Sequence, residues 1–394
     1  MIIKHPQPAG VYIHIPFCSK KCAYCDFYST ADLNLKNDYV KALLLEIGRF
    51  DNDHHMADTV YIGGGTPSLL GAGEINGILE ALRRTFNLAE NTEITLEVNP
   101  GTLSPETLMA YRQAGVNRLS IGIQSFQEKN LKTLGRVHTK DDGLAAIAWA
   151  RRAGFKNIGF DLIYGLPGLS SQDWEKELHR AVGHRPEHLS CYMLTYEIGT
   201  PMERRLRSGC FRPTPENTVA EQFAVTRQFL SETGYVHYEI SNFARAEEFK
   251  SRHNLKYWSF SPYFGFGPSA HSFRSGKRWW NVPDVRQYIE RVFSGRSPVE
   301  DREILTRDQT IIESICLGLR QQGGIDVIAF NRRYEVDFKQ VFAQNLIPLE
   351  EEGLLRVRSD SCCLTGKGML FLDSVIDRLI SADFQFKIAS QGSG

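Results

Sequence analysis

Six short runs of β-branched and aromatic residues, each followed by a helical pattern, constrain the fold of this 394-residue chain more than any other feature. They are VYIHI (11–15), TVYIG (59–63), EITLEV (93–98), LSIGI (119–123), IGFDLI (158–163) and LSCYML (189–194). Amphipathic stretches lie between them, for example Asp38 to Phe50 and Asp141 to Gly154. Ser104-Pro105-Glu106 places a cap before a helix-opening proline, and Gly115 and Gly154 supply residues able to turn left-handed at a helix end. Such alternation means βαβ units and a parallel sheet. Six units are too few for a closed eight-stranded barrel, which leaves a doubly wound sheet or a partial barrel.

Beyond about residue 235 the rhythm ends. The stretch from Tyr238 to Asn281 is rich in aromatics, Ser, Pro and Gly, and reads as irregular structure covering one side of the core. From about Glu303 a new helical pattern begins, and its end, GLLRVRSDSCCLTGKGMLFLDSVIDRL, reads as a hairpin followed by a helix, similar to a small winged-helix-type module. The expected organisation is a core over 1–235, an irregular aromatic-rich segment over 236–302, and an α/β accessory domain over 303–394 with a flexible tail from Ser390 to Gly394. Lys plus Arg equals Asp plus Glu at 46 each, so no overall field draws the molecule to nucleic acid. The winged module is therefore expected to pack rather than to read DNA. The N-terminus MIIKHPQPAG has no apolar signal region, and no apolar run approaches the roughly 18 residues of a membrane span. A cytoplasmic protein is expected.

Of eight cysteines, only Cys18, Cys22 and Cys25 cluster. Cys191, Cys210, Cys316, Cys362 and Cys363 are scattered and read as small buried hydrophobes. The strand VYIHI runs into PFCSKKCAYCDF, so the clustered thiols leave the C-terminal end of the first strand. Iron–sulfur clusters are held by Cys thiolates, usually four. A C-x3-C-x2-C loop gives one thiolate to each of three irons and leaves the fourth iron open to the amino and carboxylate groups of a small molecule. The competing reading is zinc, which wants four protein ligands and would have to recruit a residue such as His14.

Later strand ends carry polar residues. TVYIG ends in Gly63-Gly64-Gly65-Thr66-Pro67, where the backbone can approach a ligand closely. A phosphate loop is the alternative, but no Gly-Lys-Ser/Thr follows. Glu97 and Gln124 sit in or just after apolar strand runs, where a polar group wants a partner such as a ribose hydroxyl. Arg136 and Asp161 complete the series; an arginine suits a carboxylate, and an aspartate suits ribose.

C-x3-C-x2-C with Tyr24 before the third cysteine resembles the radical S-adenosylmethionine (SAM) superfamily. The segments YIHIPFC, GGGTPS, GVNRLSIGIQSF, LGRVH and DLIYGLPG, from Tyr12 to Gly168, are similar to the branch holding the oxygen-independent coproporphyrinogen III oxidase HemN and the HemW-like heme chaperones. The resemblance implies an α/β fold, a partial (β/α)6 TIM-like barrel with a smaller C-terminal domain. It implies a [4Fe-4S] cluster on Cys18, Cys22 and Cys25. It also implies SAM contacts at Tyr12, Tyr24, Gly64, Gly65, Thr66, Glu97, Gln124, Arg136 and Asp161, with Thr195 a weaker carry-over.

Two departures separate this chain from the oxidase. Phe27 stands where the oxidase has a further cysteine, and only 17 residues precede Cys18, where the oxidase has a long arm. His253-Asn254-Leu255-Lys256-Tyr257-Trp258 matches HNxxYW, which this branch associates with heme. Alone, such a histidine is more often a packed structural residue. The resemblance makes His253 the expected heme ligand, with His271 second. The implied activity is a heme chaperone handing heme to an acceptor protein, with no nucleic acid, no membrane span and at most transient contact with a membrane-bound acceptor. The alternative is a radical SAM enzyme acting on a porphyrin, an oxidase or a methyltransferase.

Overall fold

Each of the six runs forms a strand in the computed structural model, which describes residues 7–50 and 55–380. The tail from Ser390 to Gly394 lies outside the described residues. The strands are β1 (Ala9–Ile15), β2 (Met56–Gly64), β3 (Asn87–Val98), β4 (Arg118–Gln124), β5 (Ile158–Tyr164) and β6 (His188–Met193). They lie parallel and in sequence order. A doubly wound sheet reverses its strand order part-way; this one does not, and it is the partial (β/α)6 barrel. The connecting helices are α1 (Lys36–Arg49), α2 (Ala72–Thr85), α3 (Pro105–Ala114), α4 (Glu128–Leu134), α5 (Lys140–Arg152) and α6 (Ser171–Gly183).

Period-two alternation sorts the side chains. Val11, Ile13 and Ile15 of β1 are fully buried, as are Tyr39, Leu43 and Ile47 of α1 in the same core. Large aliphatic side chains of this kind stabilise by about 1.5–3 kcal/mol each when fully buried. The alternate residues, Tyr12 on β1, Tyr61 on β2 and Glu97 on β3, belong to the opposite face. The expected caps form: Ser104 Oγ accepts from Thr107 N at 3.2 Å, and Gly115 closes α3 with φ 110°.

The stretch read as irregular is regular. After α7 (Pro201–Arg207) and α8 (Glu216–Glu232), β7 (Val236–Glu239) and β8 (Asn242–Ala244) extend the sheet beyond β6. A seven-residue helix, α9 (Arg252–Trp258), follows. Then β9 (Tyr263–Phe266) pairs parallel to β1, and β10 (His271–Arg274), β11 (Lys277–Asn281) and β12 (Val299–Ile304) continue antiparallel, with α10 (Val285–Phe293) between the last two. These strands are three to six residues long and broken by Pro262, Pro268 and several glycines, which hides their period.

The C-terminal part holds α11 (Arg307–Arg320), α12 (Val327–Tyr334), α13 (Phe338–Glu351), α14 (Gly366–Met369) and α15 (Leu372–Leu379). Its sheet has β15 (Ser361–Leu364) between β13 (Ile325–Asp326) and β14 (Leu355–Val357), antiparallel throughout, as the hairpin-and-helix reading expected. Cys191 and Cys362 are buried as expected of small hydrophobes, but Cys210 is exposed.

Candidate cluster and ligand site at the barrel mouth

Pro16-Phe17-Cys18 carries the chain off β1 into the cysteine loop. Phe17 is fully buried, edge-on to Tyr39 at 5.2 Å, and anchors the loop's first arm. Cys18 N donates to Thr30 O at 3.0 Å and Thr30 N to Pro16 O at 2.7 Å, pinning the neck. Cys18 is buried, while Cys22 and Cys25 are partly exposed. Thr66 Oγ1 lies 3.6 Å from Cys18 Sγ, and Arg136 Nη1 lies 3.4 Å from Cys22 Sγ. A hydroxyl and a guanidinium thus aim donors at two of the three sulfurs.

A zinc site would need a fourth protein ligand beside the three thiols. Among the described residues, no three His, Cys, Asp or Glu side chains are gathered as a single ion would gather them. His14 is buried, with Nδ1 at 3.0 Å from Tyr12 Oη and Nε2 at 3.1 Å from Tyr28 O. Burial pushes its pKa down to about 4. Three thiols from one loop, with two donors aimed at them, fit a cluster held through three irons.

The loop closes over a cavity of about 770 Å³ at the C-terminal ends of the strands. Besides the three cysteines, the expected residues Tyr24, Gly64, Gly65, Thr66, Glu97, Gln124, Arg136, Asp161 and Thr195 line it. Tyr12 does not: its ring lies 6.2 Å from that of Tyr61 and its hydroxyl is turned to His14. Gly64 has φ 108° and its amide donates to Glu97 Oε2 at 3.1 Å. A Cβ on Gly65 would stand 2.6 Å from Phe17 O, so only glycine lets the two loops approach. Gln124 has φ 62° and follows a register irregularity in β4, a device that re-aims a side chain.

The two carboxylates are held differently. Glu97 Oε1 accepts from Tyr61 Oη at 2.7 Å, and burial raises its pKa to about 7. Asp161 accepts from Ser120 Oγ at 3.1 and 3.2 Å, and burial raises it too. Below them the cavity is lined by Arg118, Ser120, Gly122, His188, Ser190 and Tyr192, none of which the sequence reading singled out. A signal existed. Arg118, Ser120 and Gly122 fall at two-residue steps before Gln124 and so share its face. Arg118 is 2% exposed, bonds Thr95 Oγ1 at 3.4 Å, and leaves Nε without a partner.

The HNLKYW motif is not on an open surface. Helix α9 packs against the N-terminal halves of β1 and β2 and reaches Glu93 in the middle of β3. Glu93 Oε2 and Oε1 accept from Arg252 N and His253 N, each at 3.1 Å. His253 is fully buried; Nδ1 lies 2.9 Å from Thr59 Oγ1 and Nε2 lies 2.9 Å from Tyr257 Oη. Asn254 reaches the cavity lining from this side. Trp258 lies beneath the Arg320 guanidinium at 4.5 Å, joining the motif to the C-terminal domain. His271, in contrast, is exposed on β10, with its ring 5.6 Å from Trp280. Phe27 is 69% exposed and forms part of the cavity rim. No helix among the described residues is long and apolar enough to cross a membrane.

Comparison with known proteins agrees with this geometry. The model of the Radical SAM superfamily matches residues 12–181, and that of the HemN C-terminal domain matches 305–371. The chain is 39% identical over 400 residues to the heme chaperone HemW of Escherichia coli (strain K12), covering 96% of this chain and all of that protein. It is 36% identical over 380 residues to the heme chaperone HemW of Mycobacterium tuberculosis, with 95% of each covered. With HemW of Bacillus subtilis it is 35% identical over 370 residues, covering 93% and 97%. The solved structure of coproporphyrinogen III oxidase (HemN) from Escherichia coli, described as a radical SAM enzyme, superposes with a TM-score of 0.82 over 95% of this chain and 90% of that one. At 24% identity that likeness shows the fold.

Proposed function

The chain belongs to the family of the HemW heme chaperones within the radical SAM superfamily, and from that premise we propose that it binds heme and passes it to an acceptor protein while carrying a SAM-ligated [4Fe-4S] cluster. One observation carries the cofactor part: three thiols and the polar strand-end series line a single cavity. Cys18, Cys22 and Cys25 would hold the cluster, with Thr66 and Arg136 donating to two of the sulfurs. When bound, the cluster supplies an open iron for the amino and carboxylate groups of SAM. Glu97 and Asp161 present carboxylates suited to ribose hydroxyls, and Gly64 and Gly65 bring backbone groups close to the ligand's polar end.

The heme part rests on kinship across more than nine-tenths of the chain and on the HNxxYW motif. The ligand is a histidine. Ligation by His253 requires its ring to give up Thr59 or Tyr257 and leave the barrel floor; His271 needs no such movement. Burial, followed by the charges of Lys256 and Arg118, pushes the His253 pKa down to about 3. Heme binding through it therefore does not fall away near pH 6.5, as an ordinary histidine would require.

Heme titration followed at the Soret band tests this. The parent should bind about one equivalent. His253→Ala should lose affinity and change the spectrum, with His271→Ala changing it less. The reverse order transfers the ligand to His271, and a parent that binds no heme contradicts the proposal.

A further inference from the structure

Thr59, His253, Tyr61, Glu97 and Gly64 form one continuous chain from the barrel floor to the ligand cavity. The His253 ring stacks on Tyr61 at 5.2 Å with 30° between the planes. Tyr61 Oη donates to Glu97 Oε1 at 2.7 Å, and Gly64 N donates to Oε2 at 3.1 Å. Strand β3 supplies a second route. Glu93 and Glu97 lie on one face of it, four residues apart, and Glu93 accepts from the first two amides of α9. The next residue of that helix, Asn254, lines the cavity itself.

An apolar plug would close a barrel floor at lower cost, because each buried polar group must be repaid by a hydrogen bond. Here the plug is a neutral imidazole with one donor and one acceptor, placed between two hydroxyls that can each play either role. Its flat face supports the tyrosine that fixes Glu97. We propose that His253 is a positioning residue for Glu97, so that the HNLKYW helix sets the grip of the cavity on SAM. The inference rests on the reading of this cavity as the SAM site, and it needs no heme.

Heme-free, cluster-loaded protein titrated anaerobically with SAM tests it by calorimetry. Tyr61→Phe and His253→Gln should each weaken SAM roughly 3- to 10-fold, the cost of a lost hydrogen bond. The decisive comparison is a double-mutant cycle. In a Glu97→Gln background, His253→Gln should cause no further loss; a merely structural role would lower affinity in both backgrounds. Thr59→Val, which keeps side-chain shape and removes only the Nδ1 partner, repeats the measurement should His253→Gln fail to fold. Parent-like affinity in the folded variants, or equal losses with and without Glu97, overturns the proposal. A parent that binds no SAM overturns the SAM reading as well, which separates the two failures.

Discussion

At the scale of single residues, burial decides what the titratable groups do. His253 is held neutral because the interior penalises its charged form, and the neighbouring Lys256 and Arg118 charges add to that. Its folded pKa of about 3 lies below the unfolded value of about 6.5. It therefore contributes stability in full above pH 6.5 and loses that contribution as pH falls toward 3. The parent's stability advantage over His253→Gln should shrink by up to about 1.4 kcal/mol per pH unit below pH 6. Denaturant midpoints from pH 7 to 4 check this, and a constant advantage would mean that the ring titrates normally. In the cavity, Glu97→Ala and Asp161→Ala should each cost roughly 1–3 kcal/mol of SAM binding, about 5- to 150-fold, with cluster content unchanged. Equal SAM affinity in parent and variants would make both carboxylates structural.

At the scale of elements, the cysteine loop and α9 act on the barrel from opposite ends. Replacing Cys18, Cys22 and Cys25 together by Ala should abolish iron and sulfide retention after anaerobic reconstitution; a full cluster in that variant would remove the assignment. Trp258 ties α9 to α11 through Arg320, an interaction worth about 0.5–2 kcal/mol. Trp258→Ala should raise hydrogen exchange at the C-terminal end of α11 while leaving β1 to β6 protected. Unchanged exchange there would mean that other contacts hold the domain. The same scale explains what the sequence revealed. The six parallel strands were legible because each carries a run of five or six mostly β-branched, apolar or aromatic residues with a helix after it, and the cysteine loop because its spacing is specific. Strands β7 to β12 were not, since three to six residues interrupted by proline and glycine carry almost no period. Arg118 and His188 escaped because a strand's two faces look alike in sequence until one face is known to be a cavity. His253 was legible as important, but its motif could not say that the ring lies inside the barrel floor.

At the scale of the whole molecule, a partial barrel leaves its C-terminal rim for the cysteine loop and its N-terminal end for a polar plug, with the accessory domain fastened to that plug. The arrangement sets the HNLKYW helix and the cysteine-lined cavity on one barrel, with Asn254 of that helix reaching the cavity lining. The HemN fold alone is compatible with either a carrier or an enzyme. The measurement that decides is anaerobic incubation of cluster-loaded protein with SAM and dithionite, once with heme and once with coproporphyrinogen III. Heme should be bound near one equivalent and released to an added heme-accepting apoprotein, and coproporphyrinogen III should be recovered unchanged. Decarboxylated porphyrinogen appearing together with 5′-deoxyadenosine would contradict the carrier and make the chain an oxidase.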